Sequence, residues 1–307
     1  MEYRALGKTG LLVSALSLGT VELGVAYGIK KPGEYGKPDR TESARILKKA
    51  VDSGINLFDT APAYGESENL LGDILGGEKC YFATKINIPP PGENAEMFIE
   101  KSLLASLKNL KRDALDIVQI HNATVETILH SDIPEMLLKF KKKGIVRFIG
   151  ASVYEPENAI AALDSGYFDV LQIAYNILDQ RMRTEVFPEA VKKGVGIISR
   201  SAYLKGVLTE KADFLDDRFS VLKEAAGKIK RDLNLSEGED LTKTALRFCF
   251  STEGISSVLA GVRSMDELAF ALETEKEGRA PDTEYNKLLD MGIADKFWLN
   301  PANWPEM

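Results

Sequence analysis

A closed (β/α)8 barrel, an α/β TIM barrel with an N-terminal β-hairpin, is the fold that this 307-residue chain predicts. Three observations carry it. A helix-like segment, a glycine and an apolar run recur in that order as "AVDSG-INLFD", "KFKKKG-IVRFIG", "ALDSG-YFDVLQIAY" and "AVKKG-VGIIS". Glycine just past a helix is the usual left-handed cap, and lysine in the last turn suits the helix dipole. Second, the runs are continuously apolar, as in parallel strands covered on both faces. Third, strand and helix signals alternate over a length that suits one barrel, with no low-complexity linker, so residues 1–307 are expected to form a single domain.

The elements follow in order. "YRALGKTGLLVSALSLGT" sets a Lys8-Thr9-Gly10 turn between two alternating runs, which predicts a hairpin before the first barrel strand. Barrel strands are expected near 15–20, 56–59, 80–85, 115–120, 146–150, 169–173, 195–199 and 256–260. Asp39-Arg-Thr-Glu42 resembles a capping box, and Asp132-Ile-Pro134 places proline in a first helical turn. Ile99, Leu103 and Leu107 mark one helix face. The loop 21–40 is long for a βα connection and is expected to shape a pocket. The charge-rich segment 209–243 is expected to form exposed helices, and the aromatic, proline-rich tail "FWLNPANWPEM" to pack as a loop. Trp298 and Trp304 have two readings, lining a substrate pocket or covering the barrel.

Composition bounds the function. The net charge of −7 offers no basic field for nucleic acid or anionic membranes. No apolar run approaches the ~20 residues that span a bilayer. "MEYRALGKTGLLVS" lacks a basic n-region and a long apolar h-region, so a cytoplasmic protein is expected. Cys80 and Cys249 read as buried free thiols. No G-x-G-x-x-G follows a strand, and "GIKKPGEY" has P-loop glycine spacing without the Lys-Ser/Thr that holds phosphate and metal. No G-x-S-x-G elbow occurs. With only His121 and His130 and no close cysteine pair, no zinc site is expected; His130 reads as a surface residue at a helix start or in a loop.

Barrel enzymes carry their chemistry at the C-terminal ends of strands. There this chain puts Asp59, Lys85 and His121 on three successive strands, with Tyr64 on the loop after the first of them. Beyond them lie Ser152, then Gln172 leading to Tyr175-Asn176, then Ser199-Arg200, and last Gly261-Val-Arg263. An ammonium beside a phenol favours the phenolate, and a carboxylate behind the ammonium keeps it charged and aimed. A neutral histidine can donate to a substrate oxygen. Such a set can protonate a carbonyl oxygen while its carbon accepts a hydride, which a cofactor must supply because no side chain here is a redox group.

These residues resemble the aldo-keto reductase superfamily over nearly the whole chain. The matching pieces are the hairpin, "NLFDTAPAYGESENLLGDIL", "ATK" at 83–85, "LDIVQIH", "FIGAS", "LQIAYN" and "RSAYLKGVLT". The resemblance implies a barrel that binds NADPH (NADP+) in extended form without a Rossmann domain. It implies a tetrad of Asp59, Tyr64, Lys85 and His121: Tyr64 the general acid, Lys85 easing release of its proton, Asp59 pairing with Lys85, His121 orienting the carbonyl. Its cofactor residues would be Thr20, Asp59, Ser152, Gln172, Arg200, Ser201, Leu204, Gly206, Gly261, Arg263 and Glu267. Ser152 and Gln172 would hold the carboxamide, Ser201, Leu204 and Lys205-Gly206 would wrap the pyrophosphate, and Gly261 and Arg263 would receive the 2′-phosphate. Val153 stands where many members have Asn, Arg200 where many have an aromatic ring, and Phe270-Ala271 where Glu-Asn is usual. The expected function is NADPH-dependent carbonyl/alcohol oxidoreduction on a small-molecule aldehyde, ketone or alcohol, by a monomer or small homo-oligomer. A nicotinamide-cofactor-binding sensor or regulatory subunit, and a barrel isomerase or lyase acting on a phosphorylated sugar, remain as alternatives.

Overall fold

The computed structural model describes residues 1–29, 36–235 and 238–305. The P-loop-like glycine spacing at 28–35 therefore lies, beyond Ile29, outside the described residues. Strands β1 (Tyr3–Ala5) and β2 (Leu12–Ser14) pair antiparallel with Tyr3 opposite Ser14, forming the expected hairpin. Eight parallel strands then close a barrel: β3 (Leu16–Gly19), β4 (Leu57–Asp59), β5 (Tyr81–Ile86), β6 (Leu115–Ile120), β7 (Val146–Val153), β8 (Val170–Ala174), β9 (Gly196–Arg200) and β10 (Ser257–Gly261). Each pairs with its neighbours in chain order, and β10 closes the ring on β3. All eight lie where the apolar runs predicted them. β7 runs three residues past its expected end, which puts Ser152 in register with Gln172.

The junction glycines explain how helix hands over to strand. Gly54, Gly144, Gly166 and Gly194 have φ of +94°, +77°, +72° and +70°, at or just past the ends of four helices. An L side chain in that region costs about 1 kcal/mol or more, so glycine specifies the reversal. At the helix Arg40–Asp52, Asp39 accepts the Glu42 N–H at 2.8 Å, half of the expected capping box. The other half is replaced: the Glu42 carboxylate takes the Arg45 guanidinium at 2.7 Å and the Met265 N–H at 3.3 Å. It so ties the first long helix to the last βα junction.

Inside the barrel, side chains change character along each strand. Leu57, Ala83, Ile117, Val170, Ile198 and Leu259 form one apolar cluster with Leu6, Leu11 and Val13 of the hairpin. The hairpin is thus the stopper of the N-terminal mouth. Two residues further on, and so on the same face of each strand, come Asp59, Lys85, Gln119, Gln172, Arg200 and Gly261. The apolar floor ends where the polar rim begins.

Two expectations are corrected. The tail forms a helical turn at Lys296–Leu299 and a 3-10 turn at Pro301–Asn303, because Asp295 caps the Phe297 N–H and Asn300 caps the Ala302 N–H. The segment 209–243 is not all exposed: its first turn, Glu210–Phe214, turns Lys211 inward, leaving it 8% exposed. The helix Ser220–Leu233 that follows buries only Leu222, Ala226 and Ile229. His130 is exposed in the bend after the helix Val125–Leu129, the loop position of the two expected. Cys80 and Cys249 are buried free thiols, and burial raises both, to about 11 and about 12. Among the described residues, no helix is long and apolar enough to cross a membrane. Nor does any group of three or more His, Cys, Asp or Glu among them suit a metal ion.

Candidate active site

Asp59 ends β4 and Lys85 lies one residue before the end of β5, both nearly sealed from solvent at 4% and 1% exposure. The Lys85 ammonium donates to both Asp59 oxygens, at 2.8 and 2.7 Å, and to the Thr60 carbonyl at 3.0 Å. Burial alone would discharge the lysine; the Asp59 charge and the Tyr64 hydroxyl outweigh it and hold its pKa above the ordinary value. Lys85 Nζ lies 4.8 Å from the centroid of the Tyr64 ring. Asp59 Oδ1 also accepts from Gln172 Nε2 at 2.6 Å and Gln119 Nε2 at 3.3 Å. A buried ion pair persists only with such extra partners.

The loop bearing Tyr64 is seated by close backbone contact. A side chain at Gly24 would collide with the Tyr64 carbonyl, and one at Gly65, already at φ +59°, with the Gly24 carbonyl. Beneath the loop Ser67 Oγ meets both Thr20 Oγ1 and Thr60 Oγ1, while Thr20 Oγ1 donates to the Asp59 carbonyl at 2.8 Å. Glu68, 2% exposed, accepts from Thr84 and Asn109. The phenol is held from behind by a polar network and faces the cavity in front.

His121 follows β6 and meets Tyr64 edge-on, ring centroids 6.2 Å apart at 85°. Its imidazole makes no side-chain hydrogen bond among the described residues. Burial, then the Lys85 charge, push its pKa down to about 4. At neutral pH it is therefore an uncharged ring with one donor and one acceptor nitrogen. The sign for stability follows: the unfolded chain binds this proton from about pH 6.5 downward, the folded chain only near pH 4. Stability falls as pH drops through that window. Melting temperature from pH 7 to 4 should decline more steeply in the wild type than in His121→Gln, and parallel curves would remove this assignment.

These side chains open onto a cavity of about 330 Å³, a size typical of small-molecule sites. Of the expected residues, Asp59, Tyr64, His121, Ser152, Gln172, Arg200, Ser201, Gly206, Gly261, Arg263 and Glu267 line it. Lys85 stands behind Asp59 and Tyr64. Thr20 and Leu204 do not line it: Thr20 is sealed beneath the Tyr64 loop and Leu204 packs in the core. The 201–206 segment is irregular, with Ser201, Leu204 and Lys205 at φ of +62°, +43° and +58°. It is fastened by Asn176 Nδ2 donating to the Ser201 carbonyl and by the Ile29 N–H donating to the Lys205 carbonyl. The long first loop thus shapes the cavity, as expected, through Val21, Glu22, Tyr27, Gly28 and Ile29. At the far end Glu267 joins three groups: Lys211 Nζ at 3.0 Å, the Arg263 N–H at 2.7 Å and the Arg263 guanidinium at 3.6 Å. Beside it Ser264 caps the helix Met265–Glu277. Lys211 and Arg263 are matched there by Glu210, Asp266 and Glu267, beside a helix N-terminus that suits an anionic group. Trp298 and Trp304 do not line the cavity; both pack on Phe219, as covers of the barrel.

Sequence reasoning passed over several lining or supporting groups. Gln119 carried a legible signal, a polar residue inside the apolar run "LDIVQIH", in register with Lys85. Tyr27, Asn122 and Tyr154 line the cavity from loops with no pattern to mark them, while Phe270, singled out by its position, lines it from a helix. Lys211 was hidden in a charged stretch, and only its reach to Glu267 distinguishes it.

Comparison with known proteins identifies the family. A sequence model of the Aldo/keto reductase family matches residues 15–290. L-galactose dehydrogenase of Arabidopsis thaliana is 32% identical over 302 residues, covering 92% of each chain. Pyridoxal 4-dehydrogenase of Microbacterium luteolum is 28% identical, over 87% of this chain and 91% of its own. An aldo-keto reductase of Bacillus halodurans, 24% identical, has the same fold with a TM-score of 0.78 over 96% of this chain and 99% of that one. The chain belongs to the aldo/keto reductase family and is an oxidoreductase. That reading is favoured over the regulatory-subunit and the isomerase or lyase alternatives.

Proposed function

We propose that this protein is an NADPH-dependent carbonyl reductase, active on an aldehyde or ketone, with Tyr64 as the general acid. The observation that carries the proposal is the Asp59–Lys85 pair behind Tyr64, with neutral His121 edge-on to the same ring. The family's usual cofactor is a nicotinamide nucleotide, and the chain's donors fit one. Gly28 and Gly206, both at positive φ, edge the cavity, and its far end holds Arg263, Lys211 and a helix N-terminus for phosphate. When bound, the nicotinamide would supply a hydride to the carbonyl carbon. The Tyr64 Oη proton passes to the carbonyl oxygen, and Lys85 stabilises the phenolate left behind until solvent returns a proton. His121 orients the carbonyl by donating to the same oxygen.

Ser152 and Gln172 would hold the carboxamide, Gln172 through the amide atoms left after its Nε2 has bonded Asp59. Ser201 and Gly206 would hold the pyrophosphate and Gly261, Arg263 and Glu267 the adenosine phosphate, while Thr20 and Leu204, which do not line the cavity, would act only from behind it, Thr20 through Asp59. Arg200 would lie against the nicotinamide ring. The dehydrogenase names of the two relatives favour small polar carbonyl or alcohol substrates.

Purified protein mixed with NADPH and a panel of aldehydes should lose absorbance at the reduced-nicotinamide band, and no loss with any aldehyde sinks the proposal. In Arg263→Ala, NADPH binding should weaken by roughly 10- to 100-fold, the span of one charged hydrogen-bonding contact, and NADH binding little. Equal weakening of both would remove the 2′-phosphate role.

A further inference from the structure

Arg200 ends β9 on the inward face, two residues past Ile198 of the apolar floor. It lines the cavity with Tyr27, Tyr154 and His121, and its positive charge acts on both Tyr27 and His121. Its guanidinium carbon stacks 3.8 Å from the centroid of the Tyr154 ring, which fixes the plane of the group. Yet its polar atoms are poorly served. Its edge makes two hydrogen bonds, Nη1 to Ser201 Oγ at 3.4 Å and Nη2 to the Val153 carbonyl at 3.5 Å, both long, while the buried Nε has none.

Arg112 and Arg183 also keep a buried Nε without a hydrogen-bond partner and show no ion pair among the described residues, but neither lines the cavity, as Arg200 does. Arg181 pairs with Asp179 and Glu155, Arg247 with Glu277, and Arg263 with Glu267. Among the described residues no carboxylate lies within ion-pair distance of Arg200. A guanidinium cannot shed its proton and carries five N–H donors in a planar fork. Leaving that fork half-buried and short of acceptors is unfavourable unless a ligand completes it. The cations at the far end share Glu267, and Lys205 lies over the Tyr27 and Trp304 rings; Arg200 is the cation without a carboxylate, among the described residues, whose charge reaches His121.

We infer that Arg200 is a specificity-determining residue that receives a carboxylate borne by the carbonyl substrate itself. This rests on the reductase reading above and deepens it: the molecule reduced is an aldehyde or ketone acid. One guanidinium face is committed to Tyr154; the edge, not the face, reads the carboxylate, so a nicotinamide ring against the other face is compatible. Overall, substrate carbonyl, NADPH and one proton become alcohol and NADP+, and the carboxylate is unchanged.

The test compares 4-carboxybenzaldehyde with 4-carbamoylbenzaldehyde, its neutral analogue of the same shape, at saturating NADPH. Wild type should favour the acid in kcat/KM by about 10- to 100-fold, the worth of one charge-assisted hydrogen-bonding contact. Arg200→Gln should lose that preference, the acid falling toward the amide mainly through KM, whereas a loss shared equally by both aldehydes reports only the cofactor contact. No preference in the wild type, or equal loss on both aldehydes with weakened NADPH binding, overturns the inference and leaves Arg200 a cofactor contact. If no aldehyde consumes NADPH, the reductase reading fails separately. Calorimetric titration of benzoate into the protein then decides: weaker binding in Arg200→Gln upholds the carboxylate site, and equal binding overturns it.

Discussion

Tyr64→Phe should lower kcat by about 10²- to 10⁴-fold, the range for removing a positioned acid, while NADPH binds as before. The physical case is specific to this ring. It is seated by the Gly24 and Gly65 backbone contacts and the Thr20–Ser67–Thr60 network, none of which touches the hydroxyl. Phenylalanine therefore keeps the loop, the cavity shape and the edge contact with His121, and loses only the hydroxyl beside Lys85. Single-turnover reduction in the presence of excess NADPH separates chemistry from product release. A variant within about 10-fold of wild type, below the smallest effect expected of a general acid, would falsify the mechanism, since no second acid stands at that position.

The other large effect concerns stability as much as rate. Lys85→Met leaves the Asp59 carboxylate, 4% exposed, with two glutamine amides as its side-chain partners among the described residues. Removing one partner of a buried ion pair costs about 3–5 kcal/mol, so this variant should unfold at markedly lower denaturant and be inactive. The double variant Lys85→Met/Asp59→Leu has no stranded charge. It should recover much of the lost stability, since replacing both partners by apolar groups is often neutral, and recover none of the activity. Urea midpoints of the three proteins check the point. Equal destabilisation by the single and double changes would mean that Asp59 and Lys85 are not energetically coupled.

The comparison of sequence with structure is uneven in an instructive way. Every barrel strand was legible because a strand buried on both faces must be continuously apolar, and because glycine at positive φ marks where a helix stops. The order Asp59, Tyr64, Lys85, His121 was legible because a barrel puts successive strand ends on one rim. Gln119 was hidden by the same logic that revealed the strands: within a run scored for apolarity, one amide looks like noise until Asp59 is seen to accept from it. Lys211 failed for the opposite reason. A charged stretch reads as solvated unless a distant carboxylate claims one member, and Glu267 lies 56 residues away. The tail was misjudged because two caps, Asp295 and Asn300, supply helical turns to a segment whose composition suggests a loop.

By itself, then, the sequence determined the barrel, the hairpin that precedes it and the rim on which the polar residues meet, because these depend on periodicity and on local backbone preference. Only the tertiary structure decided which charges are committed. Asp59 is shared among Lys85, Gln119 and Gln172, and Glu267 between Lys211 and Arg263, while Arg200 stacks on Tyr154 with no carboxylate among the described residues. Pairing of that kind is set by distance across the barrel mouth, between residues that sequence separates by tens of positions, and no local pattern encodes it.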